Sequence, residues 1–323
     1  MVWKPREFSR GFFLSRNQKL ETRNQPWLSI LAFMKIGIYG KHFGPEFDAP
    51  VSQLIQLMLK RNFELFVHED FYSFLRERVA IDDSLPTFSL ASDCELDVVI
   101  SVGGDGTLLN TLTIVRDTNT PVLGVNTGRL GFLSNVSIDL ISDSVNVLAN
   151  QEFEIDQREL IEVVCDYAPL GDFDYAMNEV TVHKKDTSSM ITVDVHVDGA
   201  FMNTYWADGL IICTPTGSTA YSLSCGGPIA MPGSKNWVFT PIAPHNLNVR
   251  PFVVPNDHEI TIKTSGREPH HLLTLDSRSY TIESDDAITL RRAPFTIGLI
   301  NLPGQHFFKT IRNKLNWGID QRN

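Results

Sequence analysis

A strand-like segment over residues 96–102, with Val98, Val99 and Ile100 as a continuous apolar run, passes without a spacer into Gly103-Gly104-Asp105-Gly106-Thr107 and then into a helical run over 108–115. A strand this apolar belongs in the interior of a sheet covered on both faces, which is the situation of parallel α/β sheets. The neighbouring segments keep the same alternation. Residues 35–39 read as a short strand, and 47–61 set Val51, Leu54, Ile55, Met58 and Leu59 along one helical face. Residues 63–68 read as a strand, 71–79 as a helix and 121–125 as a further strand. The expectation for 34–150 is an α/β domain with a parallel, Rossmann-like sheet that binds ligands beyond the carboxyl ends of its strands.

After residue 150 the texture changes. Runs at 160–167, 176–183, 191–197, 201–206 and 209–214 are strand-like and lack helices between them, and 259–263, 272–275, 279–283 and 287–291 continue the series. Asp198-Gly199 marks a hairpin, because both central positions of a type I′ turn need positive φ. A mostly β domain is therefore expected over 151–300. Residues 305–317 place Phe308, Ile311 and Leu315 on one helical face, so 301–323 reads as a terminal helix packing back on the first domain. Residues 1–33 show no period and precede Met34, where the first strand starts. They read as a disordered or artefactual extension, with translation beginning at Met34.

Charge narrows the partners. The first 33 residues hold six basic and two acidic side chains, a net of +4, so the rest carries −14 of the overall −10. Such an acidic body is a poor partner for nucleic acid, whose binding rests on phosphate neutralisation. It can still take an anionic nucleotide where backbone amides or a metal ion supply the positive field. Cys94, Cys165, Cys213 and Cys225 form no CxxC pair and no metal spacing with histidine, which reads as reduced structural thiols in a cytoplasmic protein. No apolar run reaches the roughly 20 residues needed to span a bilayer, so no membrane partner is expected.

Two segments carry chemistry. In 103–107, three glycines leave backbone N–H groups open to a phosphate, and Thr107 is placed to cap the following helix, whose N-terminus favours an anion. Asp105 is out of place in a phosphate cradle unless it holds a cation or accepts a proton from an attacking hydroxyl. No Gly-x-Gly-x-x-Gly and no Gly-x4-Gly-Lys-Ser/Thr occurs, which weighs against nicotinamide dehydrogenases and P-loop enzymes. The second segment, 208–228, runs from Asp208 through an apolar strand into Thr214-Pro215-Thr216-Gly217-Ser218-Thr219-Ala220-Tyr221-Ser222-Leu223-Ser224-Cys225-Gly226-Gly227-Pro228. Small hydroxyl residues and glycines offer many donors and little bulk where backbone must approach a ligand, and Tyr221 adds an aromatic face suited to a purine.

Gly-Gly-Asp-Gly-Thr resembles the motif shared by NAD kinases, lipid kinases of the diacylglycerol and sphingosine type, and phosphofructokinases. The 208–228 segment resembles the NAD kinase signature closely. Met177-Asn178-Glu179-Val180, residues 126–134 and residues 244–251 resemble further segments of that family, in the family's order, from about Met34 to Trp317. The resemblance implies transfer of the γ-phosphate of ATP to the 2′-hydroxyl of the adenosine ribose of NAD, with a divalent cation (Mg²⁺ or Mn²⁺) offsetting charge. It assigns Asp105 as general base and lays Gly106 against the dinucleotide. Asn178 and Glu179 would contact the adenosine portion, and Asp208 the nicotinamide side. Thr219, Ala220, Tyr221, Ser222, Leu223 and Ser224 would line the adenine and ribose pocket. A neighbouring subunit's backbone would approach near Ala243, implying a homodimer or homotetramer, and His245 is a further candidate contact. No protein metal site is expected. A lipid kinase sharing the glycine loop and a non-catalytic dinucleotide sensor are the alternatives.

The chain departs from the family pattern at two places. Trp206-Ala207 stands where many relatives have an arginine before the aspartate, and Trp206 reads as a core or interface residue. Asp276-Ser277-Arg278 stands where many have Asp-Gly-Gln, and Arg278 reads as a solvated turn arginine. His270 and His271 form no metal spacing and read as exposed strand-end residues.

Overall fold

A computed structural model describes residues 34–316, except 80, 129–130, 135, 166–169 and 186–188. The expected extension over 1–33 and the end of the chain from Trp317 lie outside the described residues.

The first half builds the expected α/β unit from strands β1 (Lys35–Gly40), β2 (Glu64–His68), β3 (Thr87–Phe88), β4 (Val98–Val102) and β5 (Val122–Asn126). Their order is β3-β2-β1-β4-β5 and every neighbouring pair is parallel. Helices α1 (Asp48–Lys60) and α2 (Glu69–Arg78) connect the strands on one side of β1, and α3 (Asp105–Val115) connects β4 to β5. The order reverses between β1 and β4, and the glycine turn leaves β4 at that switch point, where open α/β sheets bind ligands. Val51, Leu54, Ile55 and Met58 of α1 are buried with Ile36, Ile38 and Ile100 of the sheet. A short strand β6 (Val136–Ser137) and helix α4 (Ile141–Asn150) complete this half, and α4 buries Ile141, Val145 and Leu148 in the same core.

The second half is β-rich, as its sequence texture implies. Strands β7 (Glu154–Cys165), β8 (Tyr175–Ala176), β9 (Glu179–Lys184), β10 (Ile191–Val197), β11 (Ala200–Ala207) and β12 (Gly209–Cys213) precede a one-turn helix, α5 (Tyr221–Ser224). Strands β13 (Asn236–Ile242), β14 (Phe252–Pro255), β15 (Ile260–Ser265), β16 (His270–Leu275), β17 (Arg278–Glu283) and β18 (Ala287–Asn301) follow, then helix α6 (Phe307–Leu315). β14-β13-β12-β9-β16-β17 form an antiparallel sheet. Its inward residues, among them Val180, Val182, Leu210, Ile212, Phe239 and Leu273, pack against Ile161, Val163, Val193, Val195, Ile262 and Leu290.

One strand serves both halves. The first part of β18 pairs antiparallel with β15, and its far end pairs in parallel with β5 through Leu299 and Val122. β7 accompanies β18 on both sides of a register shift between Arg292 and Thr296. A bulge of this kind bends a strand and raises its twist, so a single 12-stranded sheet passes from one half into the other.

Some elements depart from the sequence reading. α3 begins at Asp105 with Gly104 as its capping residue, and Thr107 N–H bonds to Gly104 O within the first turn. Thr107 is thus inside the helix instead of capping it, because Gly103 at φ 153° turns the chain earlier and packs over the Thr107 side chain. α4, β13 and β14 are additions. Pro241, Pro251 and Pro255 interrupt the apolar pattern of the two strands, and sheet partners alone make them strands. His271 is buried, with Nδ1 2.8 Å from Thr264 Oγ1 and burial lowering its pKa; only His270 is exposed.

The Asp198-Gly199 hairpin forms as expected, with φ of 49° and 78°. A left-handed residue with a Cβ costs about 1–2 kcal/mol, so Gly199→Val should lower stability by about that amount in chemical denaturation. An unchanged midpoint would show that the turn tolerates a side chain.

Candidate functional site

The first part of the site is the turn between β4 and α3. The leading amides of a helix have no partner within it. At Gly104 and Gly106, both exposed, nothing lies within 4 Å of where a Cβ would stand. The backbone is therefore open to an anion at a helix N-terminus, where the dipole favours it.

Asp105 is the first residue of α3, and its carboxylate faces the loop that follows β5. Oδ2 accepts from Phe132 N at 2.8 Å, and Oδ1 accepts from Leu133 N at 3.1 Å and Ser134 N at 2.9 Å. Gly131 passes so close to the carboxylate that no side chain fits there. A carboxylate offers about four acceptor positions, and three are occupied. Among the described residues one position remains for an incoming hydroxyl or cation, and Asp105 is only half-buried. Of the related segment 126–134, residues 129–130 lie outside the described residues.

The second part is organised by Asp276, which occupies the turn between β16 and β17 at φ 53°. Its carboxylate accepts from three consecutive amides, Met177 N at 3.0 Å, Asn178 N at 2.7 Å and Glu179 N at 3.2 Å. Asn178 O in turn accepts from Thr214 N, and Gly217 lies against the Asn178 backbone with no room for a Cβ. Asn178 and Glu179 are 7% and 9% exposed, yet among the described residues Asn178 Oδ1 and Glu179 Oε2 have no hydrogen-bond partner. Glu179 is thus a buried acid. Burial, with the Asp276 charge adding to it, pushes its pKa up to about 8, and one hydrogen bond from Tyr221 N–H opposes the shift. Burial pushes Asp276 up as well, but its three amides and the nearby Arg278 counter that. Of the two, Asp276 has the more hydrogen-bond donors.

Arg278 is not a solvated turn residue. Its guanidinium donates to Phe173 O and Tyr175 O and lies 5.0 Å from the Phe173 ring centroid. Lacking the donors of a glutamine at this position, the chain uses the longer arginine to clamp the segment leading to Asn178.

The remaining predicted residues gather near this group. Asp208 pairs with Lys184, Oδ1 to Nζ 2.6 Å, and its charge reaches Tyr221. The Tyr221 ring is 43% exposed. Thr219 Oγ1 donates to Thr216 O, and Ala220 caps the turn. Leu223 is half-buried and Ser224 exposed. Ser222 is fully buried with Oγ 2.7 Å from Thr240 Oγ1, so its side chain braces the turn from behind. Ala243 is exposed at φ 44°, and His245 N bonds to Trp206 O. Trp206 itself is 52% exposed and no part of the core. The two parts of the site share one apolar cluster, in which Met177, beside Asn178, is buried with Leu108 and Leu112 of α3. Lys184 has no counterpart in the sequence reading, and Asp276 appeared there only as the first residue of a turn, with no role given to it.

Arg158 of β7 also reaches the signature turn. It is 9% exposed, pairs with Asp156 at 2.7 Å and donates from Nη1 to Thr216 Oγ1 at 3.3 Å. Among the described residues no three His, Cys, Asp or Glu side chains group so as to hold a metal ion. A cation of the Mg²⁺ type is commonly carried on substrate phosphates with one or two carboxylates and needs no such group.

Residues 52–153 match the family model described as ATP-NAD kinase N-terminal domain, and residues 177–302 match that of the ATP-NAD kinase C-terminal domain. The chain is 43% identical to the NAD kinase of Flavobacterium psychrophilum over 294 residues, covering 90% of this chain and 100% of that one. It is 39% identical to the NAD kinase of Bacteroides fragilis, covering 90% and 100%. Among solved structures, yeast NADH kinase complexed with NADH superposes with a TM-score of 0.77 at 24% identity, covering 89% of each chain. An NAD kinase from Archaeoglobus fulgidus in complex with ATP gives 0.67 at 23% identity, covering 88% and 98%.

Replacing Asp276 by alanine strands three amide donors, each costing about 1–3 kcal/mol when buried and unpaired. Asp276→Ala should therefore lose at least about 3 kcal/mol in urea denaturation, and a loss below about 1 kcal/mol would remove Asp276 from this role. The Glu179 shift has a definite sign. An acid raised from 4.5 to about 8 on folding costs stability as pH rises through that window. Relative to Glu179→Gln, the wild type should lose up to about 1.4 kcal/mol per pH unit between those limits and no more beyond them. Parallel stability–pH curves for the two proteins would contradict the assignment.

Proposed function

Because the chain belongs to the NAD kinase family, we propose that it transfers the γ-phosphate of ATP to the 2′-hydroxyl of the adenosine ribose of NAD, giving NADP. The observation that carries this reading is the pairing of an open glycine turn, headed by Asp105, with two buried polar atoms, Asn178 Oδ1 and Glu179 Oε2, that have no hydrogen-bond partner among the described residues. A phosphate suits the first, and a nucleoside rich in hydroxyl and amino groups suits the second.

In this reading Asn178 and Glu179 hold the adenosine, and residues 219–224 line its pocket, Ser222 through its backbone and Tyr221 with its exposed ring. Gly106 lies against the dinucleotide. Asp208, oriented by Lys184, faces the nicotinamide side, with His245 beside it. The turn at 103–106 receives the donor's phosphates. A divalent cation carried on those phosphates would offset their charge. Asp105 accepts the 2′-hydroxyl proton as the oxygen attacks in line. Positioning and preorganised amides supply most of the acceleration, as in other phosphoryl transfers. The lipid-kinase and sensor readings draw no support from the relatives described above.

The enzyme is proposed to work as a homodimer or homotetramer in the cytoplasm. Phe201, Trp206, Leu247, Phe252 and Val253 are exposed along β11, β14 and the 243–251 loop, and β11 and β14 each end a sheet. Exposed apolar edges of this kind mark association surfaces. The four unpaired cysteines fit a reducing compartment, and among the described residues no helix is long and apolar enough to cross a membrane.

Purified protein incubated with NAD, ATP and Mg²⁺ should form NADP. Asp105→Asn should cut turnover by about 10²–10⁴-fold, the usual contribution of a general base, while NAD still binds. Full activity in that variant would exclude Asp105 as the base.

A further inference from the structure

We propose that Glu179 meets the dinucleotide as a neutral carboxylic acid, a hydrogen-bond donor in the adenosine pocket, and that the bound state retains this proton. The inference rests on the reading of the pocket as the NAD site and adds the protonation state of one of its walls.

The geometry that points to it is the unequal treatment of two carboxyl groups on one short stretch of backbone. Asp276 accepts from the amides of Met177, Asn178 and Glu179, at 2.7–3.2 Å. Glu179 has a single amide, Tyr221 N–H, and its Oε2 is buried with no partner. Two neighbouring carboxyl groups out of water do not both ionise, and the proton stays on the one with fewer donors. The groups facing Glu179 do not reverse this. Tyr221 and Cys213 are both held to their protonated forms by burial, and Arg278 compensates Asp276, not Glu179. Lys184 is engaged by Asp208.

Ligand binding strengthens the preference. A dinucleotide brings a pyrophosphate and further excludes water, and both disfavour a second carboxylate in the pocket. A neutral acid can donate from Oε2 to a ribose oxygen or ring nitrogen, while Asn178 Oδ1 beside it accepts from a hydroxyl or amino group. Adjacent donor and acceptor atoms then read complementary edges of one nucleoside. Loss of the proton leaves two adjacent acceptors, and the pocket loses half of that recognition.

The test is the NAD dissociation constant of the full chain between pH 6.5 and 9.5, by calorimetry, for wild type, Glu179→Gln and Glu179→Ala. For one proton lost near pH 8, wild-type affinity should be flat below about pH 7 and about tenfold weaker by pH 9. Glutamine imitates the neutral acid, so Glu179→Gln should bind within about threefold of wild type at pH 7 and show no such loss at pH 9. Glu179→Ala should bind at least about tenfold more weakly at both. As a second readout that needs no variant, titrations at pH 8.5 in buffers of different ionisation enthalpy should show proton uptake on binding. Wild-type affinity unchanged to pH 9, proton release in place of uptake, or a tenfold loss in a folded Glu179→Gln protein at pH 7 would each overturn the proposal. Absence of NAD binding by the wild type at every pH would instead remove the reading of the pocket on which it rests.

Discussion

Three consecutive amides on one carboxylate hold the second half of the site together. Asp276 reaches from a turn between β16 and β17 to the backbone of Met177, Asn178 and Glu179, where the chain enters β9. That grip fixes the two side chains that follow, and through the Asn178 carbonyl it fixes the start of the 214–224 turn. Gly217 is needed where that turn crosses Asn178. The charge that binds the amides also has a consequence for its neighbour. Burial, with that charge adding to it, raises the pKa of the neighbouring Glu179.

The first half of the site depends on a different device. A buried parallel strand ends at the topological switch point and hands the chain to a helix through glycines, so that amides and a helix dipole are exposed with no side chain over them. Asp105 stands at that helix start but is anchored to the amides of 132–134. Its position is therefore set by two loops at once. The two halves are joined less by polar contacts than by a shared apolar cluster around α3 and Met177, and by β18, which bends at its bulge and lies in both.

Much of this was legible in the residues. The parallel unit followed from a strand apolar on both faces leading into glycines, and the β-rich half from short alternating runs and the Asp-Gly hairpin. The glycine turn and the 208–228 segment announced themselves by composition, since small residues are used where backbone must come close to something. Local periodicity could not place β13 and β14, whose prolines break the pattern and whose strand character comes from partners far along the chain. Nor could it distinguish Arg278 from a solvated arginine, because Phe173 and Tyr175 meet it only after folding.

The sequence by itself determined the class of each half, the position of the glycine turn and the family the chain belongs to, because these are recorded in short-range patterns of apolar spacing, glycine and hydroxyl residues. Only the tertiary structure decided which acids are anchored and which is left bare. Asp105, Glu179 and Asp276 are three carboxylates of ordinary chemistry in the sequence. What separates them is the number of backbone amides that distant segments bring to each, three, one and three. Desolvation and hydrogen-bond supply are properties of packed surroundings, and no local pattern encodes them.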